Sequence, residues 1–382
     1  MLLQHILVLL PHSPQLKPAN ATAPEASGQR VKVVHLSDFH SDPRYAVGTE
    51  AHCTNGLCCR NNGGNADPDG TFAQPAPLYG AFLCDTPYWL GIGALESVPS
   101  LIGISEPRFT AAGNSTPISS GDFRELGFTI YTGDLVSHDP SNELSRAYVE
   151  YAEASIYHMF CKFLSGPIYA TLGNHDTQPT AQDAPHSLPT EKLANRFSWN
   201  YNHVAGLWNH YGWLDTAAQQ EARIHYGGYS TLTPYGLRIL SINTDFYYNS
   251  NLFNFINTTD PDVSGTFTWL ITELQTAEDA RERVWIIGHV LSGFSTGNAL
   301  PNPTDYLYQI IERYSPHVIA NVFFGHSHED QQMIYYANNG TNRKNVTGLA
   351  EALTPGWIGP FNHSTDQLQL WLPHVRSRYR QL

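Results

Sequence analysis

Positive charge is what this sequence has least of. Lys and Arg number 21 among 382 residues, against 34 Asp and Glu, for a formal charge of −13. A protein that grips nucleic acid through its phosphates needs a basic face for counterion release, so a general nucleic-acid binder is excluded. Charged residues of either sign reach only 14%, well under the roughly 25% of an average domain. No apolar run approaches the ~20 residues of a spanning helix. There is no internal repeat. No Cys-x₂-Cys pair is present either, which speaks against a zinc knot built on the cysteines. Apolar residues make up 41%, enough for a core, which excludes a wholly disordered chain. The length suits two domains of roughly 150 residues or one large α/β domain.

Residues 1–10 are short and apolar without a basic n-region, and Ala19-Asn20-Ala21 has the small-x-small form of a cleavage site. Residues 1–30 therefore read as a weak signal peptide and a Pro/Ala/Ser-rich linker. Six Asn-x-Ser/Thr sequons begin at Asn20, Asn114, Asn257, Asn339, Asn345 and Asn362, as in a secreted glycoprotein. Four of the five cysteines fall between Cys53 and Cys84, with Cys58 and Cys59 adjacent. Vicinal cysteines do not readily pair with each other, so in an oxidising compartment each pairs outward; the alternative is a reduced cytosolic pair. Cys161 is left over in an apolar run at 156–164 and reads as a buried thiol.

Five apolar segments, 31–36, 128–132, 168–172, 284–287 and 318–324, read as buried strands. Helical patterns cover 144–164, 190–211, 267–278 and 305–314, and further strands are expected at 238–243 and 333–336. Strands alternating with helices indicate α/β layers. Polar loops are expected at 53–77, stapled by cysteines, and at 105–122.

Each of the five strands runs straight into a polar cluster. They end in Asp38-Phe39-His40, in Gly133-Asp134 followed by Ser137-His138, in Gly173-Asn174-His175-Asp176, in Gly288-His289 and in Gly325-His326-Ser327-His328. Ligands of open α/β sheets bind beyond the carboxyl ends of the strands. In extended backbone, positions i and i+2 point the same way, so Asp38 with His40 and His326 with His328 each present two groups to one site. Asp134 is placed to bridge two cations, and Asn174 offers a neutral carbonyl oxygen. Imidazole with carboxylate suits Zn, Fe, Mn or Ni. Glycines ahead of Asp134, Asn174, His289 and His326 let the backbone turn sharply there.

This ordered set resembles the calcineurin-like metallophosphoesterases over roughly residues 31–358. The resemblance implies an α/β fold, a four-layer α/β/β/α sandwich with a dinuclear metal site at the strand C-terminal ends. Purple acid phosphatases carry Asp-x-Gly first and Tyr three residues past the bridging Asp. Here Asp38-Phe39-His40 and Ser137 stand instead, so an iron–tyrosinate centre is not supported. A His four residues past the bridging Asp, His138, resembles the acid sphingomyelinase branch. So do His35-Leu36-Ser37-Asp38-Phe39-His40, Asn257-Thr258-Thr259-Asp260-Pro261, Gly227-Gly228-Tyr229, and Cys53-x₄-Cys58-Cys59 followed by Cys84-Asp85. That cysteine pattern implies Cys53–Cys58 and Cys59–Cys84 disulfides, and favours sphingomyelinases over the sphingomyelinase-like nucleotide phosphodiesterases. Two departures stand out. No saposin-type domain precedes the first motif. After Leu353-Thr354-Pro355-Gly356-Trp357-Ile358-Gly359 the family's helical region is replaced by an atypical tail, 359–382.

Carried onto matching positions, the resemblance implies two Zn²⁺ per chain. One takes Asp38, His40, Asp134 and His328; the other takes Asp134, Asn174, His289 and His326. It implies in-line attack on phosphorus by a metal-bridging hydroxide, with His175 and His138 placed to protonate the leaving ceramide alkoxide. Asp176 either orients a histidine or caps the following turn. His158, His203, His210, His225 and His317 read as surface or core groups. Tyr88-Trp89, residues 199–201 and Phe246-Tyr247-Tyr248 read as core aromatics, the alternatives being a choline box or a bilayer contact. The expectation is a zinc phosphodiesterase, secreted or in a lysosome-like lumen. It cleaves sphingomyelin to ceramide and phosphocholine, with possible transient contact to a membrane surface. The alternatives are a phosphodiesterase for nucleotides or other small phosphodiesters and a non-catalytic, metal-stabilised glycoprotein.

Overall fold

The computed structural model describes residues 30–53, 57–61, 72–102, 126–260, 262–292 and 298–329, together with 333, 335, 368 and 369. The segment 1–29, the loop 105–122, most of the tail and every sequon except Asn257 lie outside the described residues. Of the strand expected at 333–336, only Met333 and Tyr335 are described, and neither is in a strand.

Two four-stranded sheets form the centre. The first has the order β3-β2-β1-β8, all parallel, from β1 (Lys32–Leu36), β2 (Leu126–Tyr131), β3 (Ile168–Ala170) and a two-residue β8 (Leu368–Gln369). The second has the order β4-β5-β6-β7, from β4 (Tyr229–Leu232), β5 (Leu237–Ser241), β6 (Arg283–Ile287) and β7 (Ile319–Phe323). Only β4 runs antiparallel.

Side-chain alternation explains the layering. In β6, Trp285 and Ile287 belong to the core shared with the first sheet, while Val284 and Ile286 belong to a second core. Trp285 meets Phe128 of β2 across the sheet interface, with ring centroids 5.7 Å apart. On the far side, Val284 and Ile286 pack with Leu270 and Leu274 of α6 (Thr266–Ala280) and Leu307 and Ile310 of α7 (Pro301–Tyr314). The first sheet is covered by α1 (Tyr88–Leu101) and α2 (Arg146–Phe163), followed by α3 (Glu191–Ala194), α4 (Ser198–His210) and α5 (Thr216–Ile224). Tyr131 of β2 turns away from the second sheet to meet Phe160 of α2 at 5.1 Å. Helix, sheet, sheet, helix is the expected four-layer order.

Several expectations need correction. The helical pattern at 190–211 breaks into α3 and α4. The helices α1 and α5 and the edge strand β4 were not expected. Cys161 is exposed, not buried. Helix α2 buries Val149, Ala152, Ile156, Tyr157 and Phe160, and this periodicity turns Tyr151, His158, Cys161 and Lys162 to solvent. The core reading holds for Tyr201, Phe246 and Tyr247 but not for Tyr88 and Trp89, which are 55% and 50% exposed.

Candidate metal centre and active site

Parallel strands bring their carboxyl ends to one edge, and the two sheets meet there through their loops. The His326 N–H donates to Asp38 Oδ1 at 2.9 Å, joining the end of β7 to the end of β1. The Asp38 N–H donates to the Gly133 carbonyl at 2.9 Å, and Thr171 Oγ1 donates to the Ile242 carbonyl at 3.0 Å. Seven side chains from five strand ends converge: Asp38, His40, Asp134, Asn174, His289, His326 and His328.

They arrive on strained backbone. Asp38, His40, Asp134, His326 and His328 all have positive φ, from 38° to 76°. Left-handed backbone is costly for residues with a Cβ, and such outliers cluster at functional sites. The expected extended presentation of Asp38 with His40 and of His326 with His328 is therefore wrong in its geometry. Left-handed turns aim these side chains. Of the four glycines expected to allow sharp turns, only Gly133 takes a positive φ, at 93°. Gly173 serves another need, since a Cβ there would overlap the Asp134 carboxylate.

Two groups of donors share Asp134. In one, Asp38, His40, Asp134 and His328 have ligand atoms within 4.8 Å of one another; in the other, Asp134, His289 and His326 do. Asn174 joins the second group through Oδ1, 3.1 Å from His289 Nε2. The two groups coincide with the two ligand sets implied by the resemblance. His138 also lies within 4.8 Å of His40 and His328 by its ligand atom.

Two of the imidazoles are oriented by backbone carbonyls. His40 Nδ1–H donates to the Val136 carbonyl at 2.8 Å, and His289 Nδ1–H to the Thr132 carbonyl at 2.7 Å. Each Nε2 is thereby aimed into the cluster, an arrangement typical of metal-ligating histidines. His40 Nε2 faces His328 Nε2 at 3.0 Å and Asp134 Oδ2 at 3.4 Å. Burial, then the neighbouring His138, holds His40 well below its ordinary pKa. Its lone pair therefore meets a second imidazole and a carboxylate with no proton to spare, which is a setting for a cation. His289 Nε2 lies 3.1 Å from Asp134 Oδ2. Burial opposes a proton there, but the charge and hydrogen bond of Asp134 prevail and push His289 up to about 10. Burial would raise Asp134 too, yet His289, His175 and His40 hold it well below the carboxylate range. This donor set fits a pair of divalent cations with Asp134 between them.

The two remaining candidates flank the cluster. The His138 ring stacks on His40, with centroids 3.7 Å apart, and stands 4.5 Å from His175. Its Nδ1 is bound to Asp85 Oδ1 at 2.7 Å, and its backbone N–H donates to Asp85 Oδ2 at 2.6 Å. Burial disfavours charge on His138, but Asp85, then Asp134 and Asp38, raise its pKa above the ordinary value. Burial lowers that of His175, whose backbone N–H donates to Asp134 Oδ1 at 2.7 Å. His175 Nδ1 is buried with no hydrogen-bond partner among the described residues.

Asp85 is not among the expected site residues, although it closes the cysteine motif, because its partner His138 lies 53 residues away. It follows Cys84, and the disulfides Cys53–Cys58 and Cys59–Cys84 are both formed. Arg60, beside Cys59, binds Asp42 at 2.8 Å and grips both oxygens of Asp139, the residue after His138. The stapled loop is thus fastened to the rim of the site.

Among the described residues Asp176 neither orients a histidine nor caps the following turn. Its carboxylate accepts from the backbone N–H groups of Gly173, Asp134, Leu135 and Val136, at 2.8, 2.8, 2.6 and 3.3 Å. His158 and His210 are exposed, His203 and His225 half-buried, and His317 is bound to Glu278, all outside the donor groups.

The calcineurin-like phosphoesterase family model matches residues 31–330. Sphingomyelin phosphodiesterase 2 of Caenorhabditis elegans is 30% identical over 86% of this chain and 51% of its own length. Human sphingomyelin phosphodiesterase is 30% identical over 86% of this chain and 46% of its own. Human cyclic GMP-AMP phosphodiesterase SMPDL3A is 33% identical over 84% of this chain and 62% of its own. The chain spans about half the length of the sphingomyelin phosphodiesterases it matches. With two donor groups sharing one aspartate at the strand ends, and a family match across the whole described core, the chain belongs to the calcineurin-like phosphoesterases.

Proposed function

We propose that the chain is a phosphoric diester hydrolase acting on sphingomyelin, with two zinc ions held by Asp38, His40, Asp134 and His328 and by Asp134, Asn174, His289 and His326. The observation that carries this reading is the pair of donor groups meeting at Asp134, with His138 and His175 beside them. When bound, such an ion pair neutralises charge on the phosphoryl oxygens and acidifies water. The chain's own residues do the rest. Asp134 fixes the spacing of the two groups, and His40 and His289 present Nε2 because their Nδ1–H groups are held by carbonyls. His175, its Nδ1 buried with no hydrogen-bond partner among the described residues, stands 4.5 Å from the His138 ring as the second candidate proton donor. Asp85 accepts from His138 Nδ1–H and favours the protonated ring, whose side chain is 34% exposed, so that the proton on its other nitrogen, Nε2, would pass to the leaving alkoxide.

Sphingomyelin is favoured by the sphingomyelin phosphodiesterases among the relatives and by the stapled loop. It is also favoured by the exposed side chains of Tyr79, Phe82, Tyr88 and Trp89, which flank Asp85 in sequence and suit a bilayer-borne substrate. Two disulfides suit an oxidising lumen or the outside of the cell. A second reading, a nucleotide phosphodiesterase on the same ions, is favoured by the cyclic GMP-AMP phosphodiesterase relative. Metal analysis with parallel turnover of sphingomyelin and a cyclic dinucleotide tests both. Zinc near two per chain with faster ceramide release supports the first reading. Turnover of the dinucleotide alone replaces it with the second, and no turnover by the zinc-loaded chain overturns both.

A further inference from the structure

Thr132, the residue between the end of β2 and Gly133-Asp134, reaches both donor groups without belonging to either. Its carbonyl accepts from His289 Nδ1 at 2.7 Å. Its hydroxyl lies 2.9 Å from His35 Nε2 and donates to Ser37 Oγ at 2.7 Å. Ser37 Oγ in turn donates to Asp38 Oδ2. The direction of this chain is forced from its far end. A carboxylate only accepts, so Ser37 donates to Asp38. Ser37 then accepts from Thr132, and Thr132 accepts from His35 Nε2–H.

His35 is fit to start the chain. It is buried on β1, its ring against Phe323 at 5.4 Å, and burial holds it neutral with its pKa down to about 4. A neutral imidazole has one N–H, and this one is spent on Thr132. Thr132 itself is fully buried. Its hydroxyl therefore has no water to turn to, and removing it leaves His35 and Ser37 each short of a partner.

We propose that Thr132 is a positioning residue that braces both halves of the metal centre, its hydroxyl fixing the Asp38 carboxylate through Ser37 and its carbonyl holding His289 by Nδ1–H, which aims Nε2 at the site. The inference rests on the assignment of Asp38 and His289 to the metal pair. The hydroxyl and the carbonyl are separable, because Thr132→Val deletes the first and keeps the second. Outer partners of metal ligands typically change affinity by roughly 10–100-fold.

The test is a zinc titration of wild type, Thr132→Val, Thr132→Ser, Ser37→Ala and the Ser37→Ala/Thr132→Val double variant against a chromophoric chelator, with melting followed in EDTA. The expected result is a loss of roughly 10–100-fold in affinity for one of the two zincs in Thr132→Val and in Ser37→Ala. The second zinc stays near wild type, Thr132→Ser restores the first, and the double variant is no worse than either single one. If Thr132→Val does not fold, Ser37→Ala and Thr132→Ser carry the comparison. Wild-type affinity for both ions in the variants overturns the inference, as do losses that multiply in the double variant. A wild type that binds fewer than two zincs overturns the metal reading itself, a different outcome.

Discussion

Asp85 holds His138 at two points, by the ring Nδ1 at 2.7 Å and by the backbone N–H at 2.6 Å. The grip fixes both the place of the ring over His40 and the nitrogen it leaves facing the site. Asp85 follows a disulfide-bonded cysteine, so the brace is itself stapled.

Asp85→Asn should therefore copy His138→Ala in kind. Both should keep the metal, and both should slow sphingomyelin turnover, by roughly 10–10²-fold for Asp85→Asn and 10²–10⁴-fold for His138→Ala. The loss should shrink on a nitrophenyl phosphodiester, whose leaving group needs no proton. Steady-state rates on both substrates, with metal content measured, check this. Equal losses on the two substrates would assign His138 to phosphate binding instead.

Asp176 supports Asp134 through the backbone. Four N–H groups converge on its buried carboxylate, and each left without an acceptor costs about 1–3 kcal/mol. Asp176→Ala should lower unfolding stability by about 3 kcal/mol or more and weaken metal binding as the Asp134 loop relaxes. Denaturant unfolding with and without chelator measures both effects, and a near-wild-type midpoint would contradict the role.

Glu278 ties α6 to α7, with Arg313 at 2.9 and 3.0 Å and His317 at 2.8 Å. Arg313 leads in drawing its pKa down to about 2, with His317 helping against burial. The folded value lies below the unfolded one, so the stabilisation is present above the ordinary carboxylate range. It fades as pH falls toward 2. Glu278→Gln should lose roughly 1–2 kcal/mol at neutral pH, and the gap to wild type should close between about pH 4.5 and 2. Paired melts across that range read it directly.

The convergence of these donor side chains was legible because parallel topology does the gathering. Asp38, Asp134, Asn174, His289 and His326 each follow an apolar strand, and strand ends share one edge. Their backbone conformations were not legible, since nothing in Asp38-Phe39-His40 announces a left-handed turn that only the packed loops enforce. Helix α1 was hidden by Gly91, Gly93 and Pro99, which locally read as a loop and are overridden by packing on the first sheet. Asp85 and Thr132 act through partners 53 and 157 residues away in sequence, contacts that no local pattern encodes. Cys161 was misread because an apolar run at helical period still has an outer face.

The central claim is that Asp134 is shared by two metal ions that perform phosphodiester hydrolysis. The measurement that bears on it most directly is zinc content and sphingomyelin turnover of Asp134→Asn beside wild type, each loaded with zinc and desalted. The account predicts about two zincs and turnover in wild type, with metal and activity lost together in the variant. An Asp134→Asn chain that keeps both zincs and near-normal turnover would contradict it.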